Sequence, residues 1–291
     1  MSASHSNLKH LFNYQPRSYQ TRYLHSRYAG TIGDVFKHVL LLDTLDVCLQ
    51  RHLRSGSECF HYLETHSGPG LSRLGDGGRW TRGIGCLPQD ESVHEIRPEL
   101  SAWVSRALGE RNYEGSWSLV AGVLAARSVE SRLDLYETNS EVVECMHAVR
   151  SRCLASNAIH IHESDGFKAA VNGALDHQLT FVDPPYNVRE DGSDDWTAVI
   201  HLAQELSRLQ RDFVLWYPRF TENRAHRFCQ AIGLPAVELI WDNHRQGKSY
   251  RSTGCGMIWS PTLFEKLKNK ATQWQKLASF WRADLKLRTT F

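Results

Sequence analysis

Residues 179–186 read Leu-Thr-Phe-Val-Asp-Pro-Pro-Tyr, a short apolar run that ends in a carboxylate, two prolines and an aromatic ring. The run is typical of a buried strand, and the prolines restrict the backbone of the turn that follows it. A carboxylate held in this way can bind a planar amino group through hydrogen bonds. Asp183 and the Pro184 carbonyl would accept its two hydrogens, and Tyr186 would stack on the attached ring. The alternative is a turn that proline stiffens for structural reasons alone.

Strand-like and helix-like segments alternate around this turn. The predicted strands cover 59–63, 132–136, 158–162, 179–182, 212–217, 236–241 and 256–259. The predicted helices cover 35–53, 99–108, 116–126, 140–155, 195–210 and 221–231. This alternation predicts a mostly parallel α/β sheet, in which ligands bind beyond the carboxyl ends of the strands.

Acidic residues and glycines follow two further predicted strands. Glu64 ends the first strand and precedes a turn with Gly68 and Gly70, where the backbone can approach a ligand closely. Glu137 ends the next strand, where an acid in a nucleotide-binding sheet typically accepts ribose hydroxyls. Tight turns also use glycine for purely conformational reasons, and a lone strand-end acid is more often a surface residue. The glycine-rich residues 71–115 would be an insertion between these two strands.

Composition excludes several classes of protein. The 291 residues are 41% hydrophobic and 23% charged, which is typical of a soluble globular chain. The chain has no apolar run near the roughly 18 residues that a membrane span requires, and its first ten residues lack the apolar core of a signal peptide. Seven scattered cysteines without a CxxC pair argue against a disulfide framework or a zinc site. We therefore expect an intracellular protein with reduced thiols and no bound metal.

Basic and aromatic residues gather near both ends, although the formal net charge is only +2. Beyond residue 265, lysines and arginines alternate with Trp274, Phe280 and Trp281. Such a stretch could follow a phosphate backbone and stack on bases. The favoured alternative is a solvated helix whose aromatic residues pack on the core.

An ordered set of motifs resembles one enzyme family. Glu64-x-x-x-Gly68-x-Gly70 resembles motif I, and 183–186 resembles motif IV, of class I S-adenosylmethionine-dependent enzymes that methylate exocyclic amines of adenine or cytosine. Residues 23–38 resemble the N-terminal signature of the RlmJ family. Its members methylate adenine N6 in bacterial large-subunit ribosomal RNA and were earlier described as DNA-utilisation proteins. Family landmarks also match at 62–70, 113–116, 164–167 and 254–257, so that the resemblance spans 23–260.

The resemblance implies a class I, Rossmann-like α/β sheet formed by 23–70 and 116–291. A polar extension over 1–22 would precede it, and 71–115 would be an inserted helical subdomain. The implied cofactor is S-adenosyl-L-methionine. The implied catalytic residues are Asp183, Pro184 and Tyr186, and Tyr23 and His25 would lie near the target adenine. The implied cofactor-binding residues are Lys37, His38, Glu64, His66, Gly68, Gly70, Ser116, Glu137, Asp165 and Gly166.

The expected function is methylation of an adenine N6 amine in 23S ribosomal RNA. The resemblance implies a cytoplasmic monomer that acts on protein-free RNA or an early assembly intermediate, without a membrane. Methylation of adenine in DNA is one alternative. The other is a non-catalytic nucleic-acid-binding protein linked to the use of external DNA.

Overall fold

The computed structural model describes residues 29–151, 157–172, 177–186, 195–241 and 252–289. The predictions for Tyr23, His25 and the extension over 1–22 lie outside these residues. The described strands are β1 (Phe60–Glu64), β2 (Leu71–Arg73), β3 (Asn112–Glu114), β4 (Ser131–Glu137), β5 (Asn157–Glu163), β6 (Leu179–Val182), β7 (Phe213–Arg219), β8 (Ala236–Ile240), β9 (Gly254–Trp259) and β10 (Asp284–Arg288). The described helices are α1 (Ile32–Ser55), α2 (Glu91–His94), α3 (Pro98–Glu110), α4 (Ser116–Ala126), α5 (Ser140–Arg150), α6 (Gly166–Asn172), α7 (Asp195–Arg208), α8 (Glu222–Ile232), α9 (Pro261–Leu267) and α10 (Ala271–Ser279).

Eight of these strands form one sheet in the order β10-β8-β9-β7-β6-β1-β4-β5. The five strands from β5 to β7 pair in parallel, whereas β9 runs antiparallel between β7 and β8. From β1 the chain continues to β4 and β5 on one side and then returns to β6 on the other. Because the strand order reverses between β1 and β6, a ligand crevice is expected at the carboxyl ends of these two strands. The mostly parallel α/β sheet predicted from the sequence is confirmed.

Helices cover both faces of the sheet because its strands alternate between two apolar clusters. Tyr62, Phe181 and Val214 pack in the cluster that contains α1 and α4. The residues that follow them, Leu63, Val182 and Leu215, pack in the cluster that contains α7 and α8. This alternation is the two-residue period of a strand that is buried on both faces.

Helix α1 is buried along most of its length, in agreement with its predicted position over 35–53. The Thr31 hydroxyl accepts a hydrogen bond from the Asp34 backbone N–H at the N-terminus. Gly56, at φ 71°, ends the helix in the left-handed conformation that favours glycine. These boundary signals set where α1 begins and ends.

The two ends of the segment 71–115 lie side by side, in a small sheet separate from the large one. Its ends pair as the antiparallel strands β2 and β3, and α2 and α3 lie between them. Arg97 connects the segment to α1, because its guanidinium lies 3.0 Å from Asp43 and 2.7 Å from Asp46. The helix predicted over 99–108 is α3, and the division of the chain into domains stays a prediction.

The C-terminal aromatic residues belong to the core. The Trp274 ring is fully buried and stacks on Trp259 at 5.7 Å, and its Nε1 donates to Asp43 at 2.8 Å. Trp281 is buried as well and donates from Nε1 to the Gly83 carbonyl. The idea that these two rings stack on nucleic-acid bases is therefore wrong. In the described part of the chain, no helix is both long and apolar enough to cross a membrane.

Candidate active site

Four acidic residues lie along one edge of the sheet. Glu64 and Glu137 are the last residues of β1 and β4, Asp183 directly follows β6, and Asp165 comes two residues after β5. These four strands are parallel neighbours, so their carboxyl ends meet at the same edge. The sequence-predicted acids are thus brought together at the reversal of strand order.

Glu64 is held by the protein itself. Its Oε2 accepts from the Tyr62 hydroxyl at 2.8 Å, and its Oε1 accepts from the Ser116 hydroxyl at the start of α4. The side chain has no exposed surface, and burial raises its pKa to about 8. Both oxygens therefore have protein donors, and Glu64 and Ser116 join the end of β1 to α4.

The turn after Glu64 packs closely against Trp117 and β4. Gly68 and Gly70 have φ angles of 60° and 76°, in the left-handed region. A Cβ on Gly70 would lie 2.1 Å from the Trp117 ring, so no larger residue fits there. The Ser67 N–H donates to the Tyr136 carbonyl at 2.9 Å, which ties the turn to β4.

Glu137 lies beside this turn and accepts hydrogen bonds from several backbone N–H groups. Its Oε1 accepts from the N–H groups of Thr138 at 2.8 Å and Asn139 at 3.0 Å, and the Gly68 N–H also donates to the carboxylate. Burial raises the pKa of Glu137. The glycine turn and the second predicted acid therefore form one unit.

His66, Asp165 and Gly166 form the next part of the edge. A Cβ on Gly166 would lie 2.3 Å from the Thr65 carbonyl oxygen, so the two loops touch through backbone atoms. The His66 ring lies 4.7 Å from the Phe167 ring, and burial lowers the pKa of His66 to about 3. Asp165 accepts from the Phe167 N–H at 2.9 Å. His66 is therefore a neutral ring at neutral pH.

This set of acceptors fits S-adenosylmethionine, whose ribose hydroxyls, amino group and adenine amine are all hydrogen-bond donors. The Glu137 carboxylate ends β4 beside the glycine turn, and the Asp165 carboxylate follows β5 next to the loop after β1. Such acceptors suit the polar atoms of an adenosyl nucleoside. The residues present therefore match the group that the sequence implied.

Lys37 forms an ion pair with Asp183, the predicted catalytic residue. Its Nζ is 2.7 Å from the Asp183 Oδ2 and 3.1 Å from the Asp34 Oδ1. Burial raises the pKa of Asp183, and the Lys37 ammonium opposes this rise. The residue expected at the cofactor is thus paired with the carboxylate in this structure.

His38 faces the 71–115 segment. Its Nδ1 is 2.9 Å from the Tyr113 hydroxyl, and the two rings stack at 5.5 Å. The side chain is buried, and burial followed by the nearby Lys37 charge lowers its pKa. In this structure His38 therefore links α1 to β3 as a neutral ring.

Tyr186 packs among other aromatic residues after the turn that carries Asp183. Its backbone has φ 56°, and its ring is 5% exposed and packs 4.4 Å from the Trp196 ring. Its hydroxyl donates to the Trp216 carbonyl. Neighbouring aromatic residues pack against the Tyr186 ring in this structure, and its stacking on the target ring stays a prediction. Pro184, directly after Asp183, is buried.

Sequence reasoning missed three residues near Asp183 and Glu64, namely Asp34, Tyr62 and Trp216. Trp216 lies in the strand predicted over 212–217, and Val182 pairs with Leu215 in the sheet. The strand predicted next to 179–182 offered a signal, because an aromatic residue near its carboxyl end would lie close to Asp183. Asp34 lies within the signature over 23–38, but the sequence alone does not show that it lies beside Lys37.

The order of the sheet strands, with one antiparallel strand between β7 and β8, agrees with the class I methyltransferase fold that the sequence predicted. The acids and the glycine turn around the reversal of strand order belong to the same class of site. Residues 57–279 match the family model described as "Ribosomal RNA large subunit methyltransferase D, RlmJ". The chain belongs to this family.

Related proteins agree with this assignment. The chain is 26% identical over 276 residues to the ribosomal RNA large subunit methyltransferase J of Escherichia coli strain K12, with 87% of this chain and 91% of that protein covered. It is 24% identical to the protein of the same name from Haemophilus influenzae, with coverage of 75% and 77%. A crystal structure of a Legionella pneumophila protein superposes with a TM-score of 0.67 at 20% identity, covering 90% of this chain and 98% of that one. This last similarity concerns the fold.

Proposed function

We propose that the chain transfers a methyl group from S-adenosylmethionine to the exocyclic N6 amine of an adenine in 23S ribosomal RNA. The family match over 57–279 supports the reaction and the substrate class. The observation that carries the choice of an amine is the position of Asp183, directly after β6 at the reversal of strand order, with Pro184 fixing the turn.

An adenine amine is a poor nucleophile because its lone pair is delocalised into the ring. Asp183 and the Pro184 carbonyl accept the two amine hydrogens, which favours a pyramidal nitrogen and stabilises the positive charge that grows there. The cofactor, when bound, supplies an activated methyl group. The Lys37 ammonium favours the ionised form of the buried Asp183 carboxylate, and Asp183 is the first acceptor of the proton that the amine loses.

The remaining parts of the proposal follow from the family. We assign cofactor contacts to the strand-end loops and the start of α1, and substrate contacts to the N-terminal signature. The assigned cofactor-binding residues are Lys37, His38, Glu64, His66, Gly68, Gly70, Ser116, Glu137, Asp165 and Gly166, and the assigned substrate residues are Tyr23 and His25. The target base is unpaired or flipped out, since the amine is otherwise out of reach. We further propose a monomer that acts in the cytoplasm on protein-free RNA or an early assembly intermediate.

The test is methyl incorporation from labelled S-adenosylmethionine into protein-free 23S RNA, with genomic DNA in parallel. Asp183→Ala is expected to abolish labelling while the dissociation constant for the cofactor, measured by calorimetry, stays within about threefold. Asp284→Ala, an exposed aspartate on β10, is the matched control and keeps full activity. Labelled DNA with unlabelled RNA would overturn the substrate, and equal loss of turnover and cofactor affinity would overturn the role of Asp183.

A further inference from the structure

Residues 78–86 of the inserted segment pack on the start of helix α1. The Ile84 N–H donates to the Gly30 carbonyl at 2.9 Å. A Cβ on Gly83 would overlap the same carbonyl oxygen, so the two stretches of backbone touch. Lys37 follows Gly30 along the chain at a distance of about 10 Å, from the rise of a helix. Because Lys37 pairs with the predicted catalytic aspartate, residues 78–86 lie close to the candidate active site.

Two arginines lie on one side of a turn in this stretch. Arg79–Arg82 is a single turn of 3-10 helix, in which side chains three residues apart lie one above the other. Arg82 is exposed and has no ion pair with any residue that the structure describes. Arg111 adds a third guanidinium, which lies 4.6 Å from the Trp80 ring and 2.7 Å from the Asp76 carboxylate. The turn therefore presents positive charge to the solvent.

The C-terminal basic stretch adds a fourth arginine to the same place. The Trp281 Nε1 donates to the Gly83 carbonyl at 3.0 Å, which places residue 281 directly beside the turn. Arg282 comes next, and it is exposed and without an acidic partner in the described ranges. The ring of Trp281 belongs to the core, whereas the charge of Arg282 faces the solvent. We call this group the arginine surface, and its members are Arg79, Arg82, Arg111 and Arg282.

The part of the inserted segment around α2 has the opposite charge. Its exposed acidic side chains are Asp90, Glu91, Glu95 and Glu99. The arginine of this part, Arg97, is buried and pairs with Asp43. The segment is thus polarised, and its positive side is the one that packs on the start of α1. Residues 1–28, which lead to this point of the chain, contain no Asp or Glu.

We propose that the arginine surface binds the phosphate backbone of the RNA next to the target adenine. Guanidinium groups form charged and often bidentate hydrogen bonds with phosphate oxygens. Such contacts position a nucleic acid without reading its sequence. Positive charge beside the candidate active site therefore fits a strand whose adenine lies at Asp183. The inference rests on the proposed function for RNA as the substrate.

The salt dependence of RNA binding tests the inference, because each phosphate contact releases counterions. The probe is a dye-labelled, single-stranded oligoadenylate, and its fluorescence anisotropy gives the association constant at several salt concentrations. In Arg82→Ala/Arg282→Ala, the slope of log K against log salt concentration should become less negative by about 1.4, from about 0.7 for each lost contact with a single strand. At about 0.1 M salt, this change corresponds to an affinity that is roughly 25-fold lower.

Two further double variants control for charge and for position. Arg82→Lys/Arg282→Lys keeps both positive charges and should keep the slope of the wild type. Arg54→Ala/Arg227→Ala removes two other exposed arginines, at the opposite end of α1 and on α8, and neither of these has an ion pair within the described part of the chain. This pair should also leave the slope unchanged. All four substituted positions are exposed, so the melting temperatures should stay close to that of the wild type.

Turnover separates this inference from the proposed function. Arg82→Ala/Arg282→Ala should lower kcat/KM for 23S RNA by a similar factor, whereas kcat at saturating RNA and the dissociation constant for S-adenosylmethionine should stay within about twofold. An unchanged salt slope in this variant, or a slope reduced as much in either control pair, would overturn the role of the arginine surface. A wild-type protein that methylates no RNA contradicts the proposed function, and the oligoadenylate measurement then still decides on the arginine surface.

Discussion

Burial sets the chemistry of the Glu64 carboxyl group. It lies at the end of β1 with no exposed surface, and the hydroxyls of Tyr62 and Ser116 donate to it. These hydrogen bonds lower the pKa, yet the loss of hydration outweighs them, and the pKa rises to about 8. Glu64 therefore carries a proton over much of the neutral range.

This protonation makes the stability of the protein depend on pH. Between the ordinary value of 4.5 and about 8, the unfolded chain loses the Glu64 proton while the folded chain keeps it, so stability falls as pH rises. Glu64→Gln carries no charge at any pH and should remove this part of the fall. We expect the melting temperature of Glu64→Gln to increase steadily relative to that of the wild type as the pH rises from 5 to 8.

Glu222→Gln is the matched control for this measurement. Three basic side chains, led by Arg288, lower the pKa of Glu222 to about 2, so it does not titrate between pH 5 and pH 8. A plot of the melting temperature of Glu222→Gln against pH should run parallel to the plot for the wild type over this range, at lower temperatures. Parallel curves for Glu64→Gln and the wild type would contradict the account of Glu64.

At the scale of elements, the loops of the site fit together through glycine. Gly166 at the start of α6 leaves no room for a Cβ, because the Thr65 carbonyl oxygen would be 2.3 Å away. Backbone atoms cannot move aside as a flexible side chain can. The loop after β1 and the start of α6 therefore keep their positions only with glycine at 166.

Gly166→Ala should separate these two loops. We expect a loss of stability of about 1–3 kcal/mol, typical of overpacking, and weaker binding of S-adenosylmethionine by calorimetry. Gly122→Ala is the matched control, since Gly122 is exposed in α4 and a Cβ there meets nothing within 4 Å. This control should gain about 0.5–1 kcal/mol. Unchanged cofactor binding in Gly166→Ala would show that the two loops are not part of one cofactor site.

Some of the helices and strands can be predicted from the sequence, and others cannot. Helix α1 and strands β1, β4 and β6 were predicted because each has a clear apolar period and ends at a Gly, Asp or Glu signal. Strand β10, Asp-Leu-Lys-Leu-Arg, is mostly polar and exposed and was not predicted. It is held by Arg288, whose guanidinium lies 2.8 Å from the fully buried Glu238, and such a distant partner leaves no local pattern.

At the scale of the whole molecule, strand-end acids can be located from sequence, but their partners cannot. Asp183, Glu137 and Glu64 were each recognised because an acid follows a predicted strand. The pairing of Lys37 with Asp183, and the burial of Tyr186 beneath Trp216, depend on how α1 and β7 pack across the sheet. The resemblance to a family supplied residue roles, and the packing decides which of those residues face one another.

At this scale the fold brings the residues of the candidate site to one edge of the sheet. The order of strands places the glycine turn, the acids of β1 and β4, and Asp183 at the carboxyl ends of neighbouring strands. The acids that we assign to the cofactor lie on one side of the strand reversal, and Asp183 lies on the other. In the proposed function, a methyl group would therefore pass across the boundary between β1 and β6 to an amine held at Asp183.

The most direct test of this account is the identity of the methylated nucleoside. Protein-free 23S RNA is treated with the enzyme and S-adenosylmethionine, digested to nucleosides and analysed by mass spectrometry. We predict N6-methyladenosine in the treated RNA, and none after treatment with Asp183→Ala. Methylation on a ring carbon, a ribose hydroxyl or a base other than adenine would contradict the assignment of Asp183 to an adenine amine.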